Sequence, residues 1–189
     1  MNEIPPHQIR AVHDEHTIRV YQAYGDRIAD AALTAGTFVA PSFSMSRMTW
    51  IKPSFLWMMY RAGWGYKEAG QRRILAIDIT RDGFDWALAH ACPSRPDPAM
   101  SREEWATLKA ASPVRLQWDP ERDLHLRPLP YRAIQVGIGG DAVPLYVGQW
   151  ISKITDVTDL AHAIHDLVRI GQFDRAKAML PQEQVYRRS

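Results

Sequence analysis

Charged side chains stand beside aromatic ones at several places in this sequence of 189 residues. Arg47 lies three positions before Trp50, and Trp118 is followed directly by Asp119. Guanidinium and ammonium groups bind phosphate or carboxylate, and an indole ring stacks on a nucleic-acid base. The spacing therefore predicts a site for a nucleotide or another phosphorylated molecule, on which the protein acts as an enzyme.

Four cations are expected to hold the anionic groups of this ligand: Arg47, Lys52, Arg122 and Arg132. Trp50 or Trp118 would stack on the base. Asp119 or Glu121 would then serve as the acid, the base or the stabiliser of a developing charge. The alternative for the segment around Pro120 is a salt-bridged turn, in which Asp119, Glu121 and Arg122 satisfy one another.

The segment 47–61 contains the predicted central helix. Pro53 is typical of a helix start and Gly63 of a helix end, which predicts a helix over 54–62. Its residues are apolar on nearly every side, so we expect it to be buried. Arg61 would bond to the last carbonyl groups of the same helix.

The start of that helix is a candidate anion site. Arg47 and Lys52 precede it, where the positive end of the helix dipole disfavours a cation. An anion bound by these cations and by the backbone N–H groups of Ser54 and Phe55 would remove the conflict. Otherwise the two cations pair with acidic side chains or point to water.

The segment 16–24 alternates in the manner of a β-strand and carries further candidates. Gln22 shares a side with Ile18 and Val20, so its amide either bonds inside the core or faces a substrate. Tyr21 and His16 of the same strand are assigned to the candidate ligand-binding residues.

The remaining periodicity predicts a single α+β domain over 1–189, with a central mixed or antiparallel sheet, a buried helix and a helical C-terminal third. Further strands are predicted over 72–79, 114–118 and 131–138, with a turn over 119–123. Further helices are predicted over 26–35, 84–91, 102–111, 142–151 and, in two pieces separated by Gly171, 155–180.

Several other patterns restrict the chemistry. Cys92 is the single cysteine, which excludes an intrachain disulfide and favours a packing role over a nucleophilic one. His162 and His165 lie three apart, but a third ligand is missing, so we expect solvent-facing histidines and no metal. Gly139 and Gly140 form either a tight turn or a weak phosphate cradle.

The composition argues against a global affinity for polyanions or membranes. The net charge is +2, and no segment is apolar for long enough to cross a bilayer. The N-terminal segment has neither the cationic start nor the apolar run of a secretory signal. We therefore expect a cytoplasmic protein.

Four segments resemble a bacterial and fungal family catalogued as a domain of unknown function. They are His16-Thr-Ile-x-Val-Tyr-Gln-Ala23, Arg47-Met-Thr-Trp-Ile-Lys-Pro-Ser-Phe-Leu-Trp-Met-Met-Tyr-Arg61, Val114-x-x-Gln-Trp-Asp-Pro-Glu-Arg122 and Tyr131-Arg-x-Ile-Gln135. The resemblance covers nearly the whole chain and implies no particular activity.

The first of these segments also resembles the first core strand of ADP-ribosyltransferases. In that superfamily an Arg or His that binds NAD follows a hydrophobic residue and a Tyr, and here Gln22 takes this position. The resemblance implies NAD as a cofactor and Glu121 as the glutamate that orients the nicotinamide ribose. Because a fold hosts many functions, two alternatives stay open: a non-catalytic module for single-stranded nucleic acid, and a protein-interaction domain with exposed aromatics.

Overall fold

The structure, a computed structural model, describes residues 5–96, 98 and 100–188. Its first main sheet has three antiparallel strands in the order β2 (Thr17–Tyr24), β4 (Arg73–Thr80) and β8 (Ile151–Asp156). Alternate residues of β2 point into the core, where Ile18 and Val20 are fully buried. The predicted side shared by Ile18, Val20 and Gln22 is thereby confirmed as buried, and Tyr21 on the opposite side is buried as well.

The second sheet has the order β3 (Thr49–Ile51), β7 (Pro128–Ile138), β6 (Val114–Arg122) and β5 (Ala91–Pro93). Its neighbours are antiparallel except for β5 and β6, which run parallel. The two sheets meet where Tyr21 and Lys52 exchange backbone hydrogen bonds of 2.8 and 3.2 Å. Lys52 therefore lies at the junction between the sheets. A third, two-stranded pairing joins β1 (Arg10–Ala11) and β9 (Gln184–Val185).

The helices of the described residues are α1 (Asp26–Ala35), α2 (Phe55–Ala62), α3 (Arg81–Ala89), α4 (Arg102–Ala111), α5 (Ala142–Leu145), α6 (Thr158–Arg169) and α7 (Phe173–Met179). Their ends follow local signals. Ser101 and Glu104 form a capping box at the start of α4, and the C-terminal glycines of α1 and α2 adopt positive φ angles. The predicted α+β class is confirmed.

Helix α2 is buried on most of its surface, as predicted. Phe55, Met58 and Met59 are at most 2% exposed, whereas Tyr60 is 40% exposed and Arg61 faces solvent. In the described part of the chain the side chain of Arg61 forms no hydrogen bond or salt bridge. The expectation that it bonds to the last carbonyls of α2 is therefore wrong, and its guanidinium is free to contact a ligand.

The predicted turn over 119–123 is also wrong, because β6 continues through Asp119 and Pro120 to Arg122. The ladder with β7 shifts register between Pro120 and Arg122. A strand tolerates proline at such an irregularity, where the missing N–H leaves no ladder bond unmade. The continuation places Glu121 inside the protein, with 6% exposure.

Five strands of the described residues escaped the sequence analysis: β1, β3, β5, β8 and β9. Strand β5 lies within a segment expected to be helix end and loop, and β8 begins where the predicted helix over 142–151 should end. That helix stops at Leu145 and is followed by a π-helical turn over Tyr146–Trp150. Ile151, Ile154 and Thr155 are β-branched, and pairing with β4 decides their conformation.

The two histidines of α6 are not solvent-facing. The ring of His162 stacks on Tyr66 with 4.4 Å between centroids, and His165 stacks on Trp64 at 5.3 Å.

Among the described residues no group of three side chains is arranged to hold a metal ion. Over the same residues no helix combines the length and apolar character that crossing a bilayer requires.

Candidate functional site

Two adjoining clefts open on either side of Trp50 and Lys52. The first, of about 430 Å³, lies between the end of β2 and the loop before β3, and Arg47 and Thr49 line it. The second, of about 580 Å³, lies between α2 and the paired strands β6 and β7. Three residues line both clefts: Trp50, Lys52 and Arg61.

Lys52 is the floor that the two clefts share. It follows β3 directly and is only 7% exposed. Its Nζ donates one hydrogen bond, of 3.3 Å, to the carbonyl of Trp50, and among the described residues no carboxylate lies within salt-bridge distance. Burial, with a smaller contribution from the charge of Arg61, lowers the pKa of Lys52 to about 8. A buried amine without an ion-pair partner is energetically costly, and an anion in either cleft would relieve that cost.

Asp119 supplies the carboxylate of the second cleft. Gln117 and Gln135 pair directly across β6 and β7, and each Nε2 donates a hydrogen bond to a different oxygen of Asp119, at 2.9 and 2.7 Å. Among the described lining residues of the two clefts, Asp119 is the only acid. The two amides hold its carboxylate in one orientation.

Arg122 is fixed at the rim of the second cleft by two rings of α2. Its guanidinium carbon lies 3.6 Å from the centroid of Tyr60 and 5.3 Å from that of Trp57. Trp57 and Tyr60 are three apart on the helix, so they form one surface on which the cation rests. These two rings orient the guanidinium of Arg122.

Trp50 forms the wall between the clefts because Gly137 leaves room for its ring. The two residues are direct partners across β3 and β7. A Cβ at Gly137 would lie 2.9 Å from Cζ2 of Trp50 and 2.8 Å from Sδ of Met48. The glycine therefore allows the indole to lie against the strand.

The structure brings only some of the predicted cations together. Arg47 lines the first cleft, Arg122 the second, and Lys52 both. Arg132 and Trp118 lie instead in a third cavity, of about 380 Å³, on the other side of Asp119. There Nη1 of Arg132 donates to the carbonyl of Trp118 at 3.2 Å.

The predicted anion site at the start of α2 is occupied by the protein itself. The N–H of Phe55 donates to Oε1 of Glu183 at 2.7 Å, and the hydroxyl of Ser54 donates to Oε1 of Glu121 at 2.8 Å. The expectation of an external anion at these groups is therefore wrong. Glu121 also accepts from its neighbour's N–H and lines neither cleft, and burial raises its pKa.

Gln22 reaches the wall of the first cleft, but its amide bonds inside the protein. Its Nε2 donates to Thr49 and Tyr24 at 2.5 and 2.9 Å, and its Oε1 accepts from the hydroxyl of Tyr146 at 2.7 Å. The core alternative of the sequence analysis thus describes this amide. Tyr21 is buried and His16 is exposed, and neither lines the two clefts.

Several residues of the clefts were missed by the sequence analysis: Trp57, Tyr60, Arg61, Gln117 and Gln135. Helical spacing was a usable signal, since residues three and four apart share a face of α2. Alternation was another, because Gln117 shares a face of β6 with Asp119. Gln135 lies on a different strand, so its place depended on the register of β7.

Comparison with known proteins agrees with the resemblance of the four segments. No curated protein matches the sequence. A family model described as a domain of unknown function (DUF4291) matches residues 8–186. Because the match spans nearly the whole chain, the protein belongs to the DUF4291 family.

Proposed function

We propose that the two clefts bind a nucleotide or a related phosphorylated ligand with an aromatic ring, and that the protein acts on this ligand as an enzyme. The observation that carries the proposal is the set of unpaired cations in the clefts: Arg47, Lys52, Arg61 and Arg122. Within the described part of the chain none of them forms a salt bridge, and all four line the same two adjoining clefts.

The cations and the indole of the clefts would contact different parts of a nucleotide. Lys52 and Arg61 face both clefts and would hold phosphate groups, while the indole of Trp50 offers a face to a base. A bound anion raises the pKa of Lys52 from about 8 toward its ordinary value. Each unit of that rise corresponds to about 1.4 kcal/mol by which the anion binds the charged form of Lys52 more tightly than the neutral form.

Asp119 is the residue that we assign to the chemical step. It lines the second cleft, and its two amide donors keep it in place without neutralising it. A fixed carboxylate can accept a proton or stabilise a developing positive charge. NAD is one member of the ligand class, and its reaction in transferases would place an oxocarbenium-like centre near such a group. Glu121 lies outside the clefts, and its catalytic role stays a prediction.

A thermal-shift series with ATP, NAD, a sugar phosphate and inorganic phosphate tests the binding. We expect a nucleotide to raise the melting temperature by mass action. Arg61→Gln should weaken this effect, whereas Arg169→Gln should not, although both arginines are exposed in the last turn of a helix. No shift with any ligand, or equal effects of the two substitutions, would remove the proposed site.

The chemical assignment is tested once a ligand is turned over. Asp119→Asn keeps the shape of the side chain and removes its charge, so we expect at least a hundred-fold loss in kcat, on the order of one general acid–base contribution. Glu121→Gln is the parallel variant. Loss of turnover in Glu121→Gln with full activity in Asp119→Asn would reverse the assignment.

A further inference from the structure

The third cavity adjoins the second cleft, and we call the series of three adjoining cavities the groove. The first and second clefts share Trp50, Lys52 and Arg61, and the second shares Gln117, Asp119 and Pro120 with the third. The first and third cavities have no described lining residue in common. Each cavity therefore adjoins the next, and the second and third meet at residues of β6.

Positive charge is concentrated along this groove. Six of the chain's 23 lysines and arginines line it: Arg47, Lys52, Arg61, Arg95, Arg122 and Arg132. Asp119 is the only acid among the described lining residues, and in the described part of the chain none of the six cations forms a salt bridge. This excess is local, because the net charge of the whole protein is only +2.

Two indoles lie along the groove. Trp50 separates the first two cavities, and Trp118 lines the third. The ring of His7 packs against Trp118 with 5.0 Å between centroids, which supports the indole from one side. Arg132 and Arg95 line the same third cavity, so cations flank this ring as Arg47 and Lys52 flank Trp50.

We propose that this groove binds single-stranded nucleic acid, with bases on Trp50 and Trp118 and phosphates along the cations. The inference deepens the proposed function and rests on it, because the first two clefts would hold the nucleotide that is acted upon. A mononucleotide leaves Arg132 and Trp118 without a role, whereas a strand continues past Asp119 into the third cavity. A single strand fits because indole platforms need unstacked bases.

Fluorescence anisotropy with a labelled short oligothymidylate, with thymidine monophosphate as competitor, measures the binding. We expect the oligonucleotide to bind at least ten-fold more tightly than the mononucleotide. Its affinity should fall with salt, and each phosphate contact adds about 0.7 to the slope of log K against log salt concentration. Arg132→Gln should lower both the affinity and the slope, whereas Arg169→Gln should change neither.

The mononucleotide separates this inference from the proposed function. If Arg132→Gln weakens oligonucleotide binding and leaves thymidine monophosphate binding unchanged, the third cavity is part of a strand-binding groove. Equal affinities for both probes, with no effect of Arg132→Gln, would overturn the strand and leave the nucleotide clefts intact. Binding of neither these probes nor the thermal-shift ligands would overturn both. Arg132 is exposed, so its replacement does not disturb the core.

Discussion

The carboxylate of Glu183 accepts a 2.7 Å hydrogen bond from the backbone N–H of Phe55, 128 positions earlier in the chain. The segment around β9 thereby closes the start of α2, the helix that carries Trp57, Tyr60 and Arg61. Burial raises the pKa of Glu183 to about 8, the bond to Phe55 opposes this rise, and the charge of Glu121 adds to it. The start of α2 is thus bonded to an internal carboxyl group.

Glu183 makes stability depend on pH in a defined direction. Its pKa is about 8 in the folded protein and about 4.5 in the unfolded chain, so the folded state holds more protons between these values. Its contribution is complete below about pH 4.5 and is lost as the pH rises toward 8. This loss of stability is at most about 5 kcal/mol, and solvent access to the side chain makes it smaller. Glu183→Gln keeps a hydrogen-bond acceptor for the N–H of Phe55 but carries no charge, so the variant should not lose stability in this way.

Urea unfolding at about pH 5 and about pH 8 measures this effect. The quantity of interest is the free energy of unfolding of Glu183→Gln minus that of the original protein. We expect this difference to be more positive at about pH 8 than at about pH 5. Glu103→Gln, an exposed residue in the first turn of α4, is the control. Identical pH profiles for the original protein and Glu183→Gln would contradict the assignment.

Lys52→Met should stabilise the unliganded protein and abolish ligand binding. Because the folded pKa of Lys52, about 8, lies below the unfolded value of 10.5, the unfolded chain binds more protons between these values. Stability therefore rises with pH in that window. Near neutral pH the burial of this charge destabilises the folded protein by about 3 kcal/mol. Methionine carries no charge, so the variant does not have this cost.

Chemical denaturation of Lys52→Met at about pH 7 and about pH 10 measures both effects. The variant should be more stable at the lower pH and should lack the rise with pH. A variant that is less stable than the original protein at neutral pH would show that the amine is not under strain. Loss of the thermal shift by nucleotides in the same variant connects this cost to binding.

Gly137→Ala should displace the wall between the clefts. The new methyl group would lie within 3 Å of Trp50 and Met48, and overpacking of this kind costs about 1–3 kcal/mol. We expect a lower melting temperature, altered tryptophan fluorescence and weaker nucleotide binding. Gly148→Ala is the matched control, since a Cβ there meets no atom within 4 Å. Unchanged tryptophan fluorescence in Gly137→Ala would show that the ring of Trp50 does not lie against Gly137.

Tyr146→Phe should destabilise the protein through Gln22. The substitution removes the hydroxyl that donates to Oε1 of Gln22 at 2.7 Å and leaves a buried carbonyl without that bond. The expected loss is about 1–3 kcal/mol in the free energy of unfolding. Tyr66→Phe, at a tyrosine that is 60% exposed, should be neutral by the same measurement. Equal effects of the two substitutions would show that the Gln22 amide does not depend on Tyr146.

The sequence determined the features whose causes lie within a few positions. The capping box of Ser101 and Glu104, the end of α1 at Gly36 and the position of α2 between Pro53 and Gly63 all follow from local backbone preferences. The alternation of β2 likewise placed Ile18, Val20 and Gln22 on one buried side, but it did not predict the burial of Tyr21 on the other. The pairing of cations with indoles also identified Arg47, Trp50 and Lys52 as neighbours, since they lie within six positions of one another.

Only the tertiary structure decided how distant groups are satisfied. The 67 positions between Ser54 and Glu121, and the 128 between Phe55 and Glu183, leave no periodic trace in the sequence. The same holds for β8, whose conformation depends on pairing with β4, and for Asp119, whose second amide donor comes from another strand. Local preferences are set by neighbouring atoms, whereas burial and partner choice depend on how the chain packs. That packing put Arg132 in a different cavity from Lys52, and among the described residues it left Lys52 without a carboxylate within salt-bridge distance.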